Sequence, residues 1–372
     1  MTSVTARAPG RVNLIGDHTD YNGGLCLPFA VPMSTTTVAR PRGDDRLRIR
    51  SKAFPKSWTG RLDDLTLDGR DAIPDWVRYV TGVLWAARED GWPLPGLDLV
   101  IDSQLPLGSG LSSSAALECS VAIAVGTLVD RPLDPGSRQP LAELCRRAET
   151  EYVGAPTGGM DQLASLLGKP DHAVLIDFAD ISVRQVPLAL REAGLVVLVT
   201  DTGTAHQLAG PDSGYAQRRA ECDAGAAVLD LPRIGLAWAD DLSRLEDDVQ
   251  RARARHVLSE SARVEDVLAA VAAGDWNAVG AILTASHTSL RGDFDASTPA
   301  LDLAVFTAVD AGALGARLTG GGFGGSAIAL VEEERADAVR EAVDAAFADA
   351  ELATPTHLTV LPSAGASVSR SG

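Results

Sequence analysis

The chain has 372 residues, with 33 Lys plus Arg against 50 Asp plus Glu, a formal net charge of −17. That length allows two domains and a sizeable core. So acidic a composition argues against a duplex-binding protein, which needs clustered Lys and Arg, but leaves room for a small anion held by local dipoles.

The first residues, MTSVTARAPGR, contain no apolar core, so no secretory leader is expected. The longest apolar stretch, from Ala115 to Val129, is interrupted by Glu118 and is too short for a membrane span; it reads as a buried helix. Cys26, Cys119, Cys145 and Cys222 are scattered without a CxxC pair, which points to reduced thiols rather than zinc or disulfides. A soluble cytoplasmic protein that does not bind membranes or nucleic acid is the expectation. With no coiled coil or apolar stripe in view, the expected state is a monomer.

In chain order, the first third is punctuated by Gly and Pro, with short β-like runs such as residues 97–102. A long helix is expected after Ser112 to Ser114. Another is expected over 140–152, where Leu141, Leu144, Cys145 and Ala148 recur at helical spacing. Strands follow at 173–178, 181–186 and 195–200. From Gly214 to Ala285 the chain is rich in Ala, Arg, Leu and Glu and reads as several helices. Ser297-Thr298-Pro299 marks a further helix start, a hydroxyl cap followed by proline in the first turn. The end reads as a strand (326–331), a helix (333–349) and a strand (356–361), then a flexible tail from about residue 363. The expected division is 1–180 and 181–372.

Four glycine-punctuated segments carry chemistry. In LPLGSGLSSSAALE (105–118), glycines permit a tight turn, and three serines open an apolar helix whose free N–H groups suit a phosphate. Serine hydroxyls there can cap, bind phosphate or ligate Mg²⁺. The segment lacks the GxxxxGK[ST] pattern of a Walker loop. By itself it reads equally well as a serine-capped buried helix. In APGRVNLIGDHTDYNGG (8–24), a short strand leads into a polar loop suited to a polyhydroxylated ligand; a self-capped turn is the plain alternative. A metal at Asp17, His18 and Asp20 is the weaker reading, since one His and two carboxylates so close together are a poor zinc set. TGGGFGGS (319–326) has five glycines in six positions, which implies close backbone approach to a ligand or a neighbouring loop. GAPTGGMDQ (154–162) follows a helix bearing Glu149 and sets Asp161 among small residues.

In this order the four segments resemble the GHMP kinase superfamily and, within it, the galactokinases. The stretches HVLSESARVE (256–265) and ILTASHTSLRGDFDAS (282–297) are similar to the galactokinase helical region. The resemblance implies an α+β, two-domain fold. Its N-terminal domain would be like ribosomal protein S5 domain 2, its C-terminal domain ferredoxin-like, and its active site would lie in the cleft between them. It implies transfer of the γ-phosphate of ATP to the anomeric hydroxyl of galactose, with Mg²⁺. By matching position, Asp161 is similar to the catalytic Asp and Arg11 to the Arg paired with it. Ser114 and Glu149 are similar to Mg²⁺ ligands. Asp17, His18, Asp20, Gly158 and Tyr215 are similar to sugar-contacting residues; Tyr215 lies in GYAQRRAEC, which resembles the family's EYxxRRxxC. Gly108, Ser109, Gly110, Leu111, Ser112, Ser113 and Ser114 form the implied phosphate loop, and Trp76 resembles an aromatic near the adenine.

Phosphoryl transfer needs alignment and charge neutralisation more than covalent help. A carboxylate beside an arginine is a poor base toward a sugar hydroxyl. The implied role of Asp161 is therefore to orient the hydroxyl and accept its proton late. The signature here reads GDHTDYN where the family usually has GEHTDYN, so the Asp17 carboxylate is one methylene shorter. A kinase for N-acetylgalactosamine, arabinose or a galactose derivative is the alternative this raises. A non-catalytic sugar sensor is a third reading, disfavoured by the presence of Arg11, Ser114, Glu149 and Asp161. His256 and His287 read as packing or capping residues, Asp171-His172 as a turn, and Glu332 to Glu334 as a solvated helix start.

Overall fold

The computed structural model describes residues 3–106, 110–131, 134–204 and 213–371. Strand β1 (Ser3–Asn13) leads into the signature loop, and a short β2 (Leu25–Cys26) leaves it. There follow β3 (Pro28–Pro41), β4 (Arg46–Ser51), β5 (Trp58–Arg61), α1 (Asp75–Glu89) and β6 (Leu97–Ser103). Next come α2 (Ser113–Leu128), α3 (Arg138–Arg147), α4 (Met160–Leu167), β7 (His172–Asp177) and β8 (Ser182–Pro187). The second half holds β9 (Leu195–Asp201), α5 (Gly214–Leu229), α6 (Asp248–Ala273), α7 (Trp276–Gly292) and α8 (Pro299–Asp310). It closes with β10 (Gly315–Thr319), β11 (Ser326–Glu332), α9 (Ala336–Asp349), β12 (Thr356–Val360) and β13 (Ser367–Ser371).

These strands build a six-stranded sheet in the order β13-β1-β3-β6-β4-β5, a four-stranded sheet β10-β11-β9-β12 and a three-stranded sheet β2-β7-β8. All pairings are antiparallel except β4 with β6. Within the second half, the strand–helices–strand–strand–helix–strand order and its antiparallel sheet form the ferredoxin-like unit. Helix α2 is apolar around almost its whole circumference and is buried from Ala115 to Thr127 except at Leu117, as an all-apolar helix must be. It packs on β1 and β3, so its N-terminus is fixed against the strand that delivers Arg11. A continuous apolar cluster joins the two halves: Val12, Leu14, Ile15 and Phe29 from the first pack with Val197, Val264, Ile328 and Leu330 from the second. No helix among the described residues is long and apolar enough to cross a membrane.

The expected strands at 97–102, 173–178, 195–200, 326–331 and 356–361 each match an observed strand to within a residue or two. Thr298 caps α8, its hydroxyl accepting from the Leu301 amide. Three differences have physical reasons. The helix expected over 140–152 changes character at Ala148 and continues as a π-helical turn to Val153, ended by Gly154. The division expected at 180 cuts the β7–β8 hairpin, and the ferredoxin-like sheet starts only at Leu195. The C-terminal stretch expected to be a flexible tail is instead tied down. Ser363 N–H donates to Ala30 O, Gly365 N–H to Gly168 O and Ala366 N–H to Ser165 O, and β13 then pairs with β1 from Ser3 to Arg7. An edge strand with all its side chains exposed has a polar sequence, so composition alone resembles a tail.

Candidate active site

One cleft collects most of the polar residues singled out above. It is lined by Arg11, Asp17, His18, Asp20, Gly110, Ser112, Ser113, Ser114, Glu149, Asp161 and Tyr215, with Ala155 to Thr157, Met160 and residues of the glycine run at 319–325.

Arg11 reaches this cleft because β1 carries a register shift between Pro9 and Arg11. Such a bulge re-aims the following side chain. Residue 10 must be glycine there: a Cβ would lie 2.4 Å from the Leu111 carbonyl oxygen. The Arg11 guanidinium grips Asp161 in two parallel bonds, Nε to Oδ1 at 2.6 Å and Nη2 to Oδ2 at 2.9 Å, and its Nη1 donates to Gly110 O at 2.7 Å. Asp161 lies in the first turn of α4 and also accepts the Ser112 hydroxyl. Ser112 precedes α2 in a left-handed conformation, φ 57°, and its side chain caps none of the helix amides. The N-terminal end of α2 is therefore left open to the cleft beside Ser113 and Ser114.

Glu149 stands in the π-helical turn and bonds to Ser114 and to Gln162 Nε2, the latter at 2.7 Å. Burial, then the nearby Asp161 charge, raises its carboxyl to about 7. Ser114 and Glu149 supply two hard oxygen donors on one wall. Among the described residues no group of three or more His, Cys, Asp and Glu side chains is placed to hold a metal. Two oxygen donors with the remaining positions left to water and phosphate is the pattern Mg²⁺ accepts, so these residues fit that ion.

The opposite wall is aromatic and carboxylic. His18 has φ 63° and stacks on Phe294 at 4.3 Å between ring centroids, with Tyr215 at 5.6 Å. Its Nδ1 bonds to the Tyr21 hydroxyl at 3.0 Å, and Nε2 has no protein partner. Burial holds the ring well below its usual pKa, so it is neutral. A buried ring nitrogen without a partner in a ligand-sized cleft is free for a substrate hydroxyl. Asp20 is raised to about 6, first by burial and then by Asp161.

Asp17 is held by three groups. Asn13 Nδ2 donates to Oδ1 at 2.8 Å, the Gly320 amide donates to the same oxygen at 3.2 Å, and Arg317 engages Oδ2. Arg317 is fully buried and also faces Glu260, whose carboxylate accepts from Ser286 and pairs with Arg263. Opposite charge outweighs burial at Glu260, holding it down at about 2, whereas burial wins at Asp17 and raises it. This cluster ties the signature loop to β10, α6 and α7. The glycine run crosses the same junction with φ of 83° at Gly320, 71° at Gly322, 126° at Gly324 and 76° at Gly325, values that favour glycine.

Three comparisons with known proteins agree. The GHMP kinases N terminal domain family matches residues 78–169, the galactokinase galactose-binding signature residues 2–41, and the GHMP kinases C terminal family residues 267–349. Galactokinase of Streptomyces coelicolor is 46% identical over 370 residues, covering 96% of this chain and 92% of that one. The chain belongs to the galactokinase family. Galactokinase of Mycobacterium tuberculosis is 44% identical over 365 residues, covering 95% of this chain and 97% of that one. The crystal structure of Lactococcus lactis galactokinase complexed with galactose superposes with a TM-score of 0.91 at 31% identity, covering 98% of this chain and 95% of that one. A mevalonate kinase shares the fold, with a TM-score of 0.68 at 18% identity.

Within this galactokinase-family chain, some residues inferred from sequence stand apart from the cleft lining. Gly158 lies behind Asp20, where a Cβ would meet Asp20 Oδ2 at 2.3 Å. Leu111 is buried. Trp76 is half-buried on α1, stacked on Phe54 at 4.9 Å, and is not among the residues lining the cleft. Gly108 and Ser109 lie outside the described residues. His256 is a packing residue, as expected: it is buried, bonds to Ser289 and the Asp17 carbonyl, and is held near pKa 4 by burial. The sequence reading missed Arg317, Glu260 and Gln162. Arg317 was legible only as a charge inside an otherwise apolar strand, Gly315 to Thr319.

Proposed function

We infer that this chain transfers the γ-phosphoryl group of ATP to the anomeric hydroxyl of galactose, giving galactose 1-phosphate and ADP. The observation that carries the reading is the Asp161 carboxylate, held by Arg11 and Ser112 in one cleft with the open N-terminus of α2 and the His18–Asp20–Tyr215 wall. The galactose-binding signature over residues 2–41 and the galactose-bound relative give the sugar its name.

The family resemblance and the lining of the cleft support these roles. His18, Asp20 and Tyr215 bind the sugar, with Asp17 and Gly158 shaping the loop that presents them. Asp161 orients the C1 hydroxyl, and its proton passes to the carboxylate late, once the bond to phosphorus has begun to form. Arg11 keeps Asp161 aimed and offsets negative charge on the transferring group, the kind of preorganised electrostatics that serves phosphoryl transfer best. The phosphate loop from Gly108 to Ser114 receives the triphosphate at the α2 N-terminus. Ser114 and Glu149 would hold Mg²⁺, which neutralises charge on the phosphate oxygens when bound. Trp76, half-exposed and braced by Phe54, serves the adenine side. The described cysteines are all unpaired and buried, which supports a reducing, cytoplasmic setting.

The test is ADP release with Mg-ATP across a panel of sugars. Turnover with galactose that falls at least about a hundredfold in Asp161→Asn, with sugar binding retained, is expected, since a positioned proton acceptor contributes about 10²–10⁴. Turnover mainly with N-acetylgalactosamine, arabinose or another galactose relative would keep the chemistry and change the substrate, with the short Asp17 as the cause. Sugar binding with no turnover would identify a sensor.

A further inference from the structure

Next to Asp161, Gln162 is fully buried and has no part in the chemistry above. Its amide nitrogen donates twice, to Glu149 Oε2 at 2.7 Å and to Glu118 Oε2 at 3.1 Å. Glu118 is also fully buried and sits one helical turn after Ser114 on α2, so both side chains lie on the same face of that helix. The Gln162 backbone carbonyl meanwhile accepts from the Cys119 thiol. One amide group thus joins α2, α4 and the π-helical turn at the point where Ser114 and Glu149 meet. The π-helical turn that carries Glu149 is an irregular element.

We propose that Gln162 is the positioning residue for Glu149: by donating to Oε2 it fixes the orientation in which the carboxylate meets Ser114 and the cleft, while Glu118 holds the amide through its own Oε2. The inference rests on the reading of Ser114 and Glu149 as the cation ligands. A ligand carboxylate held by an outer hydrogen bond keeps its orientation before the cation arrives, and losing such a partner typically weakens metal binding about 10–100-fold. The sequence pattern agrees with this division of labour. Aspartate and glutamine at successive positions of one helix project in different directions, Asp161 into the cleft and Gln162 into the core, so one short helix serves both the acceptor hydroxyl and the metal wall.

The experiment is calorimetric titration of the galactose-saturated full chain with ADP, in the presence and absence of Mg²⁺, for wild type, Gln162→Met and Gln162→Asn. Met conserves volume and removes both donors; Asn keeps the amide but shortens its reach. In Gln162→Met the Mg²⁺-dependent gain in ADP affinity falls about tenfold or more, while ADP affinity without Mg²⁺ and galactose affinity stay within about twofold. Gln162→Asn loses part of the same gain, and decides the matter if the Met variant does not fold. An undiminished gain in a folded Gln162 variant overturns the proposal. Glu149→Gln is run in parallel. If it loses the gain while the Gln162 variants keep it, only the positioning role fails; if it keeps the gain, the ligand assignment beneath the proposal fails.

Discussion

Gly158→Ala gives a clean test of how the sugar wall is built. A Cβ at residue 158 would lie 2.3 Å from Asp20 Oδ2, 2.4 Å from its Cγ and 2.7 Å from its backbone carbon. Ordinary contact begins at 3.4 Å, so the carboxylate must retreat by about 1 Å and the backbone by somewhat less. The backbone of Asp20 cannot give easily, because Thr19 donates its hydroxyl to Gly16 and Leu25 carbonyls, and the Asn22 and Gly24 amides both bond to Thr19 O. Overpacking of this kind costs about 1–3 kcal/mol of stability. A shift of about 1 Å in a substrate-orienting group costs roughly a hundredfold in rate. Steady-state kinetics with galactose and with ATP varied separately should show kcat/KM for galactose falling by about that factor, with KM for ATP within about twofold. A fully folded variant with wild-type galactose kinetics would refute the claim that Asp20 is held in place by the absence of a side chain at 158.

Other outcomes follow from the charges. Asp20 is raised to about 6, so its carboxylate form is lost as pH falls through 6, and KM for galactose should rise about tenfold between pH 7 and pH 5. Because the folded value lies above the unfolded one, folding takes up a proton between about pH 4 and 6, and stability declines as pH rises through that window. Asp20→Asn should therefore melt higher than wild type at pH 8 while binding galactose more weakly; a lower melting temperature would contradict the assigned burial cost. Arg317→Met leaves Asp17 without its buried cation and removes one from Glu260, and should cost about 3–5 kcal/mol in chemical denaturation, against under 1 kcal/mol expected if the pair were a surface one. Glu149 sits at about 7 without a cation and must lose its proton to ligate one, so apparent Mg²⁺ affinity should be about tenfold weaker at pH 6 than at pH 8. A flat Mg²⁺ affinity profile would remove Glu149 from the metal site.

Much of this was readable from sequence because motif and mechanism coincide locally. Serines after a glycine turn open α2, Thr298 and Pro299 open α8, and the glycine run takes left-handed backbone beside the cleft. What escaped was whatever depends on contacts distant in sequence. Arg317 meets Asp17 across 300 positions, and Glu260 meets Gly16 across 244, so no local pattern announces either. The last strand was missed because an exposed edge strand looks like a polar tail, and its pairing with β1 closes only when both ends of the chain meet. The π-helical turn was missed for a related reason: its residues keep helical spacing, and only the placement of Glu149 against Ser114 and Gln162 shows the extra residue in the turn.

The most direct measurement is the phosphorus and proton NMR spectrum of the product formed from ATP, Mg²⁺ and galactose. A phosphate coupled to the anomeric proton, formed together with ADP, is the predicted result. Phosphate on any other carbon, or ADP and free phosphate with the sugar unchanged, would contradict the placement of the C1 hydroxyl against Asp161.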